Sequence, residues 1–176
     1  IEELQLINER AGVLDKRAPV AIRVNPDVDP KTHPYISTGL KKNKFGIDTE
    51  TALRGYEAAH QLPHVDVVGI DCHIGSQITE VAPFADALAS ILNLKASLSK
   101  SGIDIKYLDM GGGLGLTYHS QSTPEPREYA HAIIRSIEES SLNLILEPGR
   151  VISGNAGLLV ARVPYRNPGE EKTVDY

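Results

Sequence analysis

Val65-Asp-Val-Val-Gly-Ile-Asp-Cys-His-Ile74 runs directly into Gly75-Ser76-Gln77. The β-branched, apolar character of the first part predicts a strand, and the polar, glycine-bearing end predicts a turn. The arrangement recurs downstream. Ile105 to Met110 reads as a strand running into Gly111-Gly112-Gly113-Leu114-Gly115, and Leu142 to Leu146 as a strand running into Glu147-Pro148-Gly149-Arg150. Upstream, Val20 to Val24 is a strand halted by Asn25-Pro26, and Phe45-Gly46-Ile47 is a very short one. The count is five strands, ending near residues 24, 47, 74, 110 and 146.

Amphipathic segments separate these strands. Glu2 to Arg10 reads as the end of a helix stopped near Gly12. Asp48 or Thr49 caps a helix to about His60. Thr79 is expected to cap a helix over about 80–100, with Phe84, Leu88, Ile91, Leu94 and Leu98 at three- and four-residue steps. A further helix begins near Pro124 and extends to about Glu139. The polar stretch from Asp27 to Lys44 is too long for a plain turn. Strand–helix alternation of this kind means parallel strands with crossover helices, an α/β fold. After Arg150 the pattern changes, and Gly157 to Val163 reads as a β-run with no helix after it. Residues 1–150 are therefore expected to form one unit, and 151–176 the start of a second, β-rich domain.

Composition excludes several classes. The 176 residues carry 18 Lys and Arg against 23 Asp and Glu, a net charge of −5. No basic excess marks a nucleic-acid partner. Apolar content of 41% with modest charge argues against disorder. One cysteine cannot form an intramolecular disulfide. No apolar run approaches the ~18 residues of a membrane helix. The sequence starts at Ile1 inside a helical pattern, and Thr173 to Tyr176 reads as a strand beginning, so a longer parent protein is expected.

In barrels and doubly wound sheets chemistry collects at the carboxyl ends of the strands. The glycines 111–113 and 115 have two readings: an anion-binding nest of backbone N–H groups, or a tight turn. The run matches neither G-x-G-x-x-G nor a Walker A loop. Glu147 and Arg150 read either as an acid and a base at a site or as a local ion pair at a turn. A carboxylate keeps a pyridine nitrogen protonated, and Arg offers a planar fork to phosphate or carboxylate. His73 is suited to stacking, acid–base work or metal binding, or is structural. Ser76 donates to a phosphate or caps a turn. Cys72 points to the opposite strand face from His73 and reads as a buried filler. His60 and His64 are separated by Pro63, which breaks a helical pairing, and no metal site is expected.

Taken in order, Arg23-Val-Asn-Pro26, His33-Pro-Tyr-Ile-Ser-Thr-Gly39, Lys44-Phe-Gly46, His73-Ile-Gly-Ser-Gln77, Gly111-Gly-Gly113 and Glu147-Pro-Gly-Arg150 resemble the group IV decarboxylases. These use pyridoxal 5′-phosphate on an alanine-racemase-like barrel. The resemblance covers residues 20 to 150 and is stronger to the branch acting on diaminopimelate than to the ornithine branch. It implies a partial TIM-type (β/α)8 barrel of the pyridoxal-phosphate fold type III, running into the start of a β-sandwich or β-barrel domain. It implies decarboxylation of meso-2,6-diaminopimelate to L-lysine and CO2. Alternatives are an ornithine, arginine or carboxynorspermidine decarboxylase, or a non-catalytic cofactor-binding barrel.

The resemblance also implies residue roles. His73 stacks on the cofactor ring, and Glu147 holds the ring nitrogen protonated so that the ring accepts the charge left at Cα. Ser76 and Gly111, Gly112 and Gly113 cradle the phosphate. Pro148, Gly149 and Arg150 lie at the cofactor, and Arg150 also meets the substrate carboxylate. The family's cofactor-bearing lysine is expected upstream, and its functional cysteine downstream of Tyr176. A homodimer that completes the site, an amino-acid substrate and a cytoplasmic location are expected, with no nucleic acid, membrane or metal. Five of eight barrel strands leave open edges, so the isolated chain is expected to be inactive and marginally folded.

Overall fold

The computed structural model describes residues 2–29, 45–118, 122–138, 140–158, 160–168 and 173–175. The motif from His33 to Gly39, Lys44 and Tyr176 lie outside the described residues. The chain opens with α1 (Glu2–Val13) and β1 (Ala18–Asn25), then β2 (Ile47–Asp48), α2 (Thr49–His60) and β3 (Val65–Asp71). There follow α3 (Ala82–Lys100), β4 (Tyr107–Asp109), α4 (Pro126–Ile137), β5 (Asn143–Ile145) and α5 (Arg150–Ser153). A hairpin of β6 (Arg166–Pro168) and β7 (Thr173–Asp175) is antiparallel.

The parallel sheet has the order β2-β1-β3-β4-β5. Four strands, β1, β3, β4 and β5, therefore run side by side in chain order with helical crossovers, as in an arc of a (β/α) barrel. The expected fifth strand of that arc is displaced. Ile47–Asp48 pairs with Val24 and Asn25 on the outer edge of β1. Two residues form no more than a short rung, and the chain turns at once into α2. Asp48 caps that helix, its Oδ1 accepting the Glu50 N–H at 3.1 Å and the Thr51 N–H at 3.0 Å.

Strand alternation sorts the two faces of the sheet. Ile70, Leu108, Val24, Cys72 and Met110 are fully buried toward the helices, with Tyr56 of α2 and Phe84, Leu88 and Ile91 of α3. Tyr129 and Ile133 of α4 close that layer, and the Phe84 and Tyr129 rings meet edge-to-face at 4.7 Å. The opposite face carries the register row Arg23, Asp71, Asp109 and Ile145. That face is the lumen side of the arc, and Tyr107 and Ile145 on it are exposed.

Several boundaries differ from expectation. The third helix starts at Ala82, after Val81, which makes no side-chain cap; Thr79 is not its cap, and Pro83 occupies the first turn. Pro suits that position because the first helical N–H groups have no intrahelical acceptor. Among the described residues Gly157 to Val163 holds no strand, and Leu158 and Val160 are almost wholly exposed. A β-run becomes a strand only when another backbone completes its ladder. The hairpin strand forms instead at Arg166–Pro168, where Thr173–Asp175 pairs with it. The short α5 at Arg150–Ser153 was not expected.

One irregularity is repaired from a helix. The β1–β3 register slips between Val20 and Ala21, which leaves ladder groups without strand partners. The buried Tyr56 hydroxyl reaches into this gap. It donates to Gly69 O at 2.8 Å and accepts the Ile22 N–H at 3.3 Å. Burial also pushes this phenol well above its ordinary pKa, so it stays a donor. Tyr56→Phe is expected to cost about 1–2 kcal/mol, by leaving buried backbone groups unpaired. Leu108→Ala, which opens the core itself, is expected to cost about 2–5 kcal/mol. The urea midpoint of each variant checks both, and an unchanged midpoint for Tyr56→Phe contradicts the repair.

Candidate functional site

The carboxyl ends of β3, β4 and β5 converge, and backbone hydrogen bonds continue the sheet past the last regular residues. Cys72 N–H donates to Asp109 O at 2.9 Å, Met110 N–H to Ile145 O at 3.1 Å, and Glu147 N–H to Gly111 O at 2.8 Å. A second stitch joins the following loops. Ile78 N–H donates to Gly113 O, and Gly115 N–H to Ile78 O, both at 2.9 Å.

Glycine is required for this closeness. A Cβ on Gly112 would run into Glu147 O, and one on Gly113 into Gly75 O. At Gly111 it would lie 2.6 Å from Cys72 O, on a backbone with φ +64°. The run is thus the joint of three strand ends, and not an open row of free amides. Gly111 N–H donates to Asp109 Oδ1 at 2.9 Å, and Gly112 N–H to His73 Nδ1 at 3.2 Å. Among the described residues no protein acceptor faces the Gly113 N–H.

The bond from Gly112 orients His73. Its Nδ1 is an acceptor, so the neutral ring carries its proton on Nε2. Burial, and then the Arg23 charge, hold this imidazole below the ordinary histidine pKa, while Glu147 and Asp109 pull the other way. The ring is neutral at physiological pH, flat and half-buried. Glu147, Pro148, Gly149 and Arg150 are exposed at the adjacent strand end, and Ser76 is half-buried in the loop after β3. All the residues read from the sequence as site candidates therefore gather within the ends of three neighbouring strands. Cys72 lies on the other face, fully buried beside Met110 Sδ at 3.8 Å, with its thiol pushed up to about 12 by burial.

Sequence reasoning missed the layer beneath. Arg23, Asp71 and Asp109 stand side by side in register on the lumen face, two residues back from Asn25, His73 and Gly111. Arg23 lies over the Phe45 ring at 5.6 Å, and its buried Nε has no hydrogen-bond partner among the described residues. Asp71 is pushed up to about 6, first by burial, then by Asp109, with Glu147 adding and Arg23 opposing. Strand alternation from His73 carried the signal for Asp71, because residues i and i−2 share a face.

Among the described residues no His, Cys, Asp and Glu group has a metal-holding arrangement, and no helix is long and apolar enough to cross a membrane. Behind the glycines an apolar cavity of about 150 Å3 is lined by Tyr129, Leu146, Pro148 and Val151. A larger cavity of about 500 Å3, between α1 and the start of β1, lies at the opposite ends of the strands from His73.

The raised Asp71 yields a pH dependence. A carboxyl whose folded pKa exceeds its unfolded one stabilises below the ordinary carboxylate range and loses that contribution as pH rises through about 6. Asp71→Asn is expected to stabilise the protein by about 1 kcal/mol above pH 7, after allowance for solvent screening, and not below pH 4. Urea unfolding at the two pH values checks this; an equal effect at both contradicts it.

Comparison with known proteins agrees with this geometry. Residues 1–154 match the family model described as pyridoxal-dependent decarboxylase, pyridoxal binding domain. The chain is 50% identical over 173 residues to a diaminopimelate decarboxylase of Haemophilus influenzae, covering 98% of this chain and 42% of that protein. It is 53% identical over 171 residues to one from Vibrio cholerae, covering 97% and 41%. The chain thus spans about two-fifths of the length of these relatives. Among solved structures, a Helicobacter pylori diaminopimelate decarboxylase complexed with L-lysine superposes with a TM-score of 0.87 at 37% identity, covering 99% of this chain and 44% of that one. A Vibrio vulnificus lysine/ornithine decarboxylase shares the fold, with a TM-score of 0.74 at 21% identity over all of this chain and 44% of that one. The joined strand ends, the partial parallel barrel and the family match over residues 1–154 converge on one statement: the chain belongs to the pyridoxal-dependent decarboxylases, and its residues 1–154 belong to their pyridoxal-binding domain.

Proposed function

We propose that this chain is the cofactor-holding part of an enzyme that decarboxylates meso-2,6-diaminopimelate to L-lysine and CO2. The observation that carries the reading is the closure of three adjacent strand ends around His73, Gly111–Gly113, Glu147 and Arg150. The two relatives at 50% and 53% identity bear the name of that activity, and the Helicobacter pylori structure is described with L-lysine bound.

The residues fit pyridoxal 5′-phosphate. An aromatic phosphate ester needs anion donors, a flat neighbour and an acid for its ring nitrogen. The unengaged Gly113 N–H, the Ser76 hydroxyl and the Arg150 guanidinium are donors. Gly111 and Gly112 bring the strand ends close enough for these donors to meet, and Pro148 and Gly149 shape the turn that presents Arg150. His73 offers a neutral, oriented ring. Glu147 is the carboxylate suited to the ring nitrogen. When bound, the pyridinium ring supplies an electron sink for the pair released as CO2 leaves. Glu147, exposed at its strand end, would hold the proton on that nitrogen. Arg150 binds oxyanions, at the cofactor and at the substrate carboxylate. Catalytic roles accordingly fall to His73 and Glu147.

The proposal extends to the whole protein. Residues 1–150 form part of the barrel, and 151–176 begin a second β domain. The enzyme works as a homodimer whose second subunit completes the site, in the cytoplasm. Glu147→Ala in the whole enzyme is expected to retain cofactor and lose most turnover of meso-diaminopimelate. Arg150→Ala is expected to weaken cofactor or substrate binding by about 2–3 kcal/mol, the loss of a charge-assisted pair. Steady-state kinetics and cofactor titration check both. Unchanged turnover in the first, or unchanged affinities in the second, removes that residue from the site. Turnover of ornithine or arginine in place of diaminopimelate overturns the substrate assignment.

A further inference from the structure

Gln77 closes the half-buried motif after β3, and its backbone is unusual. Its φ is +56°, in the left-handed region that a glutamine rarely adopts. Glycine or asparagine would sit there with less strain, so the glutamine side chain requires an explanation of its own.

That side chain makes a two-way contact with one residue of the glycine loop. Nε2 donates to Leu116 O at 2.6 Å, and Oε1 accepts the Leu116 N–H at 3.4 Å. This pairing decides which end of the amide is which, because a flipped amide would set Oε1 against Leu116 O. The remaining acceptor capacity of Oε1 then faces Arg150, whose Nη1 donates to it at 3.4 Å. The loops that carry the clamp are themselves locked. Ile78 exchanges hydrogen bonds with Gly113 and Gly115, and a Cβ on Gly115 would lie 2.8 Å from Ile78 O. Gly154, at the end of α5, packs on the Leu116 side chain so closely that a Cβ there would collide with it. Gln77, Leu116 and the Arg150–Gly154 turn thus form a closed triangle over the strand ends.

The chemistry of the partner matters. An amide oxygen orients a guanidinium without cancelling its charge. A carboxylate at the same place would hold it as an ion pair and compete with any incoming oxyanion. We infer that Gln77 is the positioning residue for Arg150, aiming an uncompensated guanidinium at the phosphate or carboxylate bound at the strand ends. This rests on the reading of Arg150 given above.

The test uses the whole enzyme, with Gln77→Glu, Gln77→Met, Arg150→Ala and the Gln77→Glu/Arg150→Ala double variant. Apoenzyme is titrated spectroscopically with pyridoxal 5′-phosphate and with pyridoxal, which lacks the phosphate, and KM and kcat are measured for the amino-acid substrate. Gln77→Glu is expected to act at least tenfold and Gln77→Met about threefold. A loss confined to pyridoxal 5′-phosphate identifies the anion as the phosphate; a raised KM with cofactor affinity kept identifies the substrate carboxylate. In either case Gln77→Glu adds nothing once Arg150 is alanine, which a merely structural role would not produce. Should Gln77→Glu fail to fold, Gln77→Met carries the same comparison with its own double variant. The inference is overturned if the Gln77 variants leave every affinity unchanged while Arg150→Ala does not, or if their effect persists in full without Arg150. If Arg150→Ala itself changes nothing, both the inference and the reading of Arg150 fall.

Discussion

Close backbone approach at Gly111–Gly113 is the constraint on which the rest of the site depends. Three parallel strands end at similar heights, but their last carbonyls can be joined only where no Cβ stands between them. Glu147 O, Gly75 O and Cys72 O occupy the places that side chains at 112, 113 and 111 would fill. Once the ends are joined, Gly112 reaches His73 Nδ1, Gly111 reaches Asp109, and Glu147 hangs from Gly111 O. A single alanine in this run would separate the strand ends and move His73, Glu147 and the anion donors together.

Electrostatics build on that joint. Asp71 and Asp109 sit beside Arg23 on the lumen face, with Glu147 and His73 one layer above. Burial first, and then repulsion from Asp109, push Asp71 up to about 6, while burial and Arg23 keep His73 neutral. Near neutral pH the floor of the site therefore carries Asp109 and a partly protonated Asp71 beside Arg23, with an uncharged imidazole above them. Arg150 then stands at the rim, where its Nη1 donates to the Gln77 amide oxygen at 3.4 Å. The division is between a floor of two aspartates around one arginine and a cation at the mouth held by an amide.

Much of this was legible in the sequence because it follows from period and end chemistry. The β-branched run at Val65, the glycines after Met110 and the Glu147–Arg150 turn located the three strand ends, and Asp48 announced α2. What escaped reading depended on contacts distant in sequence. Ile47–Asp48 joined the outer edge of β1 because of where the chain returned, which no local pattern encodes. Gly157 to Val163 has strand composition, yet pairing rather than propensity decides a strand. The roles of Tyr56 at the register slip and of Gln77 beside Arg150 come from partners 13 and 73 residues away.

The central claim is that the β3, β4 and β5 ends form one cofactor seat. A crystal structure of the whole enzyme with pyridoxal 5′-phosphate tests it most directly. The account predicts the phosphate at the Gly113 N–H and Arg150, with His73 against the pyridine ring and Glu147 at its nitrogen. A cofactor bound away from these strand ends, with Arg150 turned to solvent, would contradict it.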